Sequence, residues 1–229
     1  LMVGGGRTHF YPPGADPKFG SRGSRADARN LIEEAQAAGW QYAGNRAEFD
    51  QLKLGKNVTL PLLGLFEDYD IPFEIDRKDE DYPSLEEEAM TAINALSDAT
   101  KDSDKGFFLL IEGSRIDHAG HQNDPSAQVR EVLAFDKAFE AVVNYAKETD
   151  VETILISTSD HETGGLTVAR QVTTSYPDYV WYPQVLTKAT HSGEFLSKKI
   201  LRYRSEGHHK EDEFIKKELF EEGLGIKDY

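Results

Sequence analysis

The sequence predicts an α/β fold, a three-layer αβα sandwich around a largely parallel central sheet, and three stretches carry that prediction. Phe107–Ile111 is a continuous apolar run, too short for a helix and suited to a strand covered on both faces. Asp124-Pro125 then opens a helix whose apolar residues recur at helical spacing. Val151–Ser157 follows as a second run, rich in β-branched residues. Strand, helix and strand at this spacing make a βαβ unit, which implies parallel strands with helices on the faces of the sheet.

The other elements follow in chain order. Leu1-Met2-Val3 runs straight into Gly4-Gly5-Gly6 and reads as the end of a strand entering a tight turn. These glycines lack the G-x-G-x-x-G and G-K-[ST] patterns of phosphate-binding loops. From Ala28 to Ala38, Leu31, Ala35 and Ala38 share a helical face, with Gly39 as the stop. Ser84 and Glu87 form a capping box ahead of a helix that carries Ala89, Ile93 and Leu96 on one side. In the helix after Asp124, Val129, Val132, Leu133, Phe139, Val142, Val143 and Ala146 form the expected buried stripe. Beyond Gly165 the character shifts: "YPDYVWYPQV" reads as irregular, and two amphipathic patterns follow, near His191–Arg204 and Glu211–Glu222, the second stopped by Gly223. The expected division is therefore a core α/β portion over 1–165 and an irregular, partly helical insertion over 166–229, with no internal repeat.

Composition narrows the chemistry. A chain of 229 residues with 38% hydrophobic and 29% charged residues can bury a substantial core. No apolar run approaches the length that crosses a bilayer. A net charge of −15 repels a phosphate backbone, so nucleic acid is not an expected partner. Without cysteine there are no disulfides, no thiolate nucleophile and no sulfur-ligated zinc. A metal would have to sit on histidine nitrogen and carboxylate oxygen. The sequon Asn57-Val58-Thr59 is compatible with a secretory or vacuolar route.

In parallel α/β sheets, ligands bind beyond the carboxyl ends of the strands. Glu112, Asp117 and His121 lie just past the first apolar run, and Asp160 and His161 just past the second. These are the ligand types that zinc and magnesium take when sulfur is absent. Asp117 and His121 are four residues apart, with small Ala119 and Gly120 between them. Asp160 and His161 are adjacent and converge only where the chain leaves the strand, a turn that Gly164-Gly165 makes plausible. Each residue also has a structural reading. Glu112 could pair with Arg115, Asp117 could serve a turn, His121 could be a surface histidine, and Asp160 and His161 could be capping residues. His118 reads as a loop residue or one standing behind the ligands, and His9, His191, His208 and His209 as solvated.

The order of ligand types in "EGSRIDHAGH" and "TSDHETGG" resembles the alkaline phosphatase family. The flanks "GGGRTHFYP", "LLGLFED", "PSLEE" and "KGFFLLIEGSRIDHAGHQNDP" are similar to its fungal and vacuolar-type branch. The resemblance implies hydrolysis of small phosphate monoesters through a serine-phosphate intermediate, with two zinc ions and one magnesium ion. By that resemblance Glu112 binds magnesium, Asp117 and His121 bind the zinc facing the leaving group, and Asp160 and His161 bind the zinc that activates the serine. It places the nucleophilic serine and the phosphate-binding arginine upstream of this chain, and no histidine here matches the family's late zinc ligand. The chain is then the central portion of such an enzyme, expected to be inactive alone, and the alternative is a metal-binding or interaction fragment without catalysis. Sulfatase, phosphodiesterase and phosphoglycerate mutase activities are further alternatives within the superfamily. The resemblance also implies a homodimer and a vacuolar or extracellular location. Lys18 stands where the mammalian branch has the first glutamate of a calcium site, so calcium is not expected.

Overall fold

The computed structural model describes residues 1–14, 22–163, 166, 174 and 182–227. Lys18, Gly164, Gly165 and the start of the aromatic, proline-rich stretch lie outside them, as do the readings that rest on them. The chain forms two units: 1–72, 77–112 and 134–154 make the first, and 73–76, 113–133 and 155–229 the second.

The first unit is built on three short parallel strands, β1 (Met2–Gly4), β2 (Gln41–Ala43) and β3 (Leu62–Leu65), in the order β1-β3-β2. Leu63 of β3 lies opposite Met2 on one side and Tyr42 on the other. Every residue of β3 is buried, and its side chains alternate between two cores. Leu62 joins Phe49 and Leu52, from and just after α2 (Arg46–Gln51). Leu63 and Leu65 join Tyr11 and Ile32, the latter from α1 (Leu31–Ala37). One helix therefore covers each face of the sheet, which is αβα layering on a small scale. Polar caps fix where the helices start: Asn30 accepts from the Glu33 N–H, and Asn45 from the Glu48 N–H. At α3 (Leu85–Thr100) both halves of the Ser84–Glu87 capping box are formed.

Several expectations are corrected here. Phe107–Ile111 and Val151–Ser157 do not enter the sheet. Phe108 is 89% exposed and Ile156 85%. An extended run holds strand geometry only where a neighbour takes up its N–H and C=O groups, and neither run has a ladder partner among the described residues. The apolar positions Val129, Val132 and Leu133 of α5 (Pro125–Glu148) are exposed, while Ala127 and Ala138 are buried. On α1 Ala35 faces inward as expected, but Ile32 is the buried residue beside it, while Leu31 is half-buried outside that cluster and Ala38 is exposed.

The second unit contains α4 (Arg115–His121) and α6 (Gly193–Ser205), with Pro183–Lys188 as a 3₁₀ turn before α6. It also holds the first nine residues of α5, which begins as expected, with Asp124 accepting from the Ala127 N–H at 2.9 Å. α7 (Glu211–Phe214) continues as a π-helical segment, Ile215–Leu224. That segment ends at Gly225, whose φ of +69° is the left-handed conformation of a helix stop. Gly223, the expected stop, instead lies within the segment against Leu196. Phe73, Ala119 and Ala127 form this unit's core. No described helix is long and apolar enough to cross a membrane.

Candidate metal centre

α4 has two working faces. At 3.6 residues per turn, Arg115, Ala119 and Gln122 share one side, while Asp117, Gly120 and His121 are rotated by more than about 100° from Arg115. The inner side is anchored by Ala119 in the core and by Arg115, whose buried guanidinium lies 3.6 Å over the ring of Phe73. The other side meets the segment that carries Asp160 and His161. A Cβ on Gly120 would fall 2.7 Å from the Thr163 carbonyl oxygen, so glycine is what lets this segment approach the helix.

Four of the five residues singled out from the sequence come together here. His121 Nε2 lies 3.4 Å from Asp117 Oδ2, His161 Nε2 lies 3.2 Å from Asp160 Oδ2, and His161 Nδ1 lies 3.9 Å from Asp117 Oδ1. A tetrahedral ion with bonds of about 2.0 Å separates its ligands by about 3.3 Å, so the first two pairs have the spacing of neighbouring ligands. Oxygen and imidazole nitrogen are donors that suit zinc. Among the described residues, however, no group of three or more His, Asp or Glu side chains is arranged to enclose an ion. Glu112 is exposed and belongs to the first unit, not to the unit that holds this cluster.

Thr163 ties the cluster together, and sequence reasoning overlooked it. Its hydroxyl donates to Asp117 Oδ1 and meets His161 Nδ1. That bond holds the Asp117 carboxyl below its ordinary range, and the nearby His121, His161 and His118 act in the same direction. The only sequence signal was a hydroxyl two residues after a candidate histidine ligand, and that is too common to stand out. His191 is also corrected. It is half-buried, with Nδ1 3.0 Å from Asp76 Oδ1 and its ring stacked on Phe195 at 4.0 Å. His9, His208 and His209 are exposed, as expected.

A parallel sheet covered by helices in one unit, and carboxylate and imidazole donors gathered in the other, define the class as an α/β protein with a candidate metal-ligand cluster. The Alkaline phosphatase family signature matches residues 1–221, and the chain belongs to that family. It is 60% identical over its whole length to the repressible alkaline phosphatase of Saccharomyces cerevisiae, of which it spans 42%. Its structure resembles the crystal structure of Thermus thermophilus alkaline phosphatase with a TM-score of 0.74 and 29% identity, covering 99% of this chain and 42% of that one. A variant of the TAB5 alkaline phosphatase, at 27% identity and a TM-score of 0.54, covers 83% of this chain and 47% of its own; its structure has Mg bound in the M3 site. The chain thus spans less than half the length of these relatives.

Proposed function

We propose that these residues are part of a metal-dependent phosphate monoester hydrolase and supply protein donors for its metal ions. The observation that carries this reading is the convergence of Asp117, His121, Asp160 and His161 from two separate stretches onto one side of α4. In this reading Asp117 and His121 hold one zinc, Asp160 and His161 hold a second, and Glu112 belongs to a magnesium site. Bound divalent ions supply charge stabilisation for a phosphoryl group and lower the pKa of a coordinated oxygen nucleophile.

The chain's own residues do the holding and orienting. Thr163 holds Asp117 through its hydroxyl and engages Nδ1 of His161, which leaves Nε2 directed toward Asp160. Gly120 keeps the two donor stretches close. The nucleophilic serine and the arginine that clamps the phosphate are assigned to chain outside these 229 residues. Small phosphate monoesters as substrates, a homodimer, and a secretory, vacuolar or extracellular location belong to the same proposal. The exposed sequon at Asn57 is compatible with that location.

The test is hydrolysis of nitrophenyl phosphate by a purified protein that carries the serine and arginine as well as these residues, with and without a chelator, alongside the zinc content of its Asp117→Asn and His161→Ala variants. Turnover abolished by the chelator, with zinc lost in both variants, is the expected result. Turnover indifferent to the chelator overturns the reading. A second reading is a metal-binding or interaction module without turnover, in which the chain lacks the serine, the arginine clamp and the late zinc-ligating histidine that the resemblance would require. Stoichiometric zinc without hydrolysis of any phosphate ester favours it.

A further inference from the structure

α4 carries two of the proposed zinc donors but is only seven residues long, too short to hold its own orientation. One side chain from another helix brackets it. Glu194, in the first turn of α6, accepts from Arg115 Nη2 at 2.8 Å and from Gln122 Nε2 at 3.4 Å. Arg115 is the first residue of α4 and Gln122 its C-cap, so a single carboxylate spans the full length of the helix. Asp117 and His121 lie between these two attachment points, on the side turned away from them.

Glu194 is itself well fixed. Asp76 is buried and accepts from the Ser192 N–H at 3.1 Å while pairing with His191. Asp124, which caps α5, also accepts from the Gly193 N–H at 2.7 Å. Lys198, one turn along α6, donates to the other Glu194 oxygen at 2.6 Å. Burial pushes the Glu194 carboxyl up, but the hydrogen bonds from Lys198 and Arg115 prevail and hold it at about 2. It is therefore ionised at every working pH, as a clamp onto a buried guanidinium requires.

The geometry points to Glu194 as a positioning residue for the metal centre: through Arg115 and Gln122 it sets the rotation and tilt of α4, and with them the separation of Asp117 and His121. It rests on the metal-centre reading above and touches neither metal nor substrate. Asp76 and Asp124 fix α6 in turn, so the elements that frame the centre are joined by three carboxylates.

The test compares the purified wild-type protein with Glu194→Gln, Gln122→Ala and His121→Ala, reading zinc affinity by competition with a chromogenic chelator. Glu194→Gln keeps the shape of the side chain and removes its charge. Its zinc affinity is expected to fall about tenfold to a hundredfold, as for other residues that orient metal ligands. Gln122→Ala, at the exposed end of the clamp, is expected to lose several-fold, and it carries the test if Glu194→Gln fails to fold by circular dichroism. A merely structural role lowers the Tm of the metal-free protein and leaves zinc affinity within twofold of wild type, and that result overturns the proposal. If His121→Ala binds zinc as tightly as wild type, the metal-centre reading fails first. If His121→Ala loses zinc and Glu194→Gln does not, only the positioning role fails.

Discussion

Thr163 donates its hydroxyl hydrogen to Asp117, 46 residues earlier in the chain, and the same oxygen meets Nδ1 of His161. One small side chain therefore couples the two donor stretches. A ligating imidazole is usually held by a partner on its second nitrogen, and loss of such a partner costs about tenfold to a hundredfold in metal affinity. Thr163→Val keeps the branched shape and removes the hydroxyl. It is expected to weaken zinc binding by that factor, read by chelator competition, with little change in the far-UV spectrum. Unchanged zinc affinity would mean that this hydroxyl serves the turn and not the centre.

Gly120→Ala tests the close approach of the two stretches. In a helix, alanine is better than glycine by about 1 kcal/mol. Here the added carbon would sit 2.7 Å from a backbone carbonyl, which cannot swing aside as a flexible side chain can. Overlap of this kind costs about 1–3 kcal/mol, so the clash outweighs the propensity. The expected outcome is a lower urea midpoint together with weaker zinc binding. A midpoint above wild type would show that the 160–163 segment moves freely from α4.

Much of this was legible in the sequence, for identifiable reasons. Ser84 with Glu87 and Asp124 with Pro125 mark helix starts by local chemistry, and both were found. Asp117 and His121 stand out by their four-residue spacing, but their surroundings, His118 included, read as loop in the sequence and form the helix α4 in the structure. β2, α2 and β3 were missed because elements of three to six residues give no measurable period. Phe107–Ile111 has the composition of a buried strand, but composition cannot state whether a neighbour is present to pair with it. His191 and Asp76 are 115 residues apart, and nothing local in the chain announces their pairing. Thr163, Glu194 and Asp124 act through contacts with other segments, which periodicity does not encode.

The unpaired apolar runs lead to a surface prediction. Phe108 and Ile156 stand almost fully in solvent in this chain, and exposed apolar runs of this kind bind hydrophobic dyes and promote association. Phe108→Lys with Ile156→Lys is expected to reduce binding of anilinonaphthalene sulfonate by the 229-residue chain. Stability should change by less than about 0.5 kcal/mol, since exposed side chains give up few contacts. Undiminished dye binding would place the sticky surface elsewhere, with the exposed positions of α5 as the next to substitute. In a longer chain whose other strands cover these runs, the same pair should instead destabilise strongly, because a buried lysine costs several kcal/mol.

Glu88 gives a pH dependence of opposite sign to an ordinary carboxylate. It is buried in α3 with no partner for Oε1 among the described residues. Burial raises its pKa from 4.5 to about 8, with neighbouring Glu87 adding to the rise and Arg77 opposing it. In the folded chain the carboxyl keeps its proton up to about pH 8, whereas in the unfolded chain it loses it near pH 4.5. Across that window the folded state binds more protons, so stability falls as pH rises. The contribution is fully present below about 4.5 and is lost as pH climbs through about 8. Glu88→Gln removes this titration while keeping the side chain's size. Urea unfolding at pH 5 and pH 8 should show wild type losing on the order of a few kcal/mol relative to the variant over that interval. Parallel losses in the two proteins would mean that water or a neighbouring group reaches Glu88 and lets it ionise near its ordinary value.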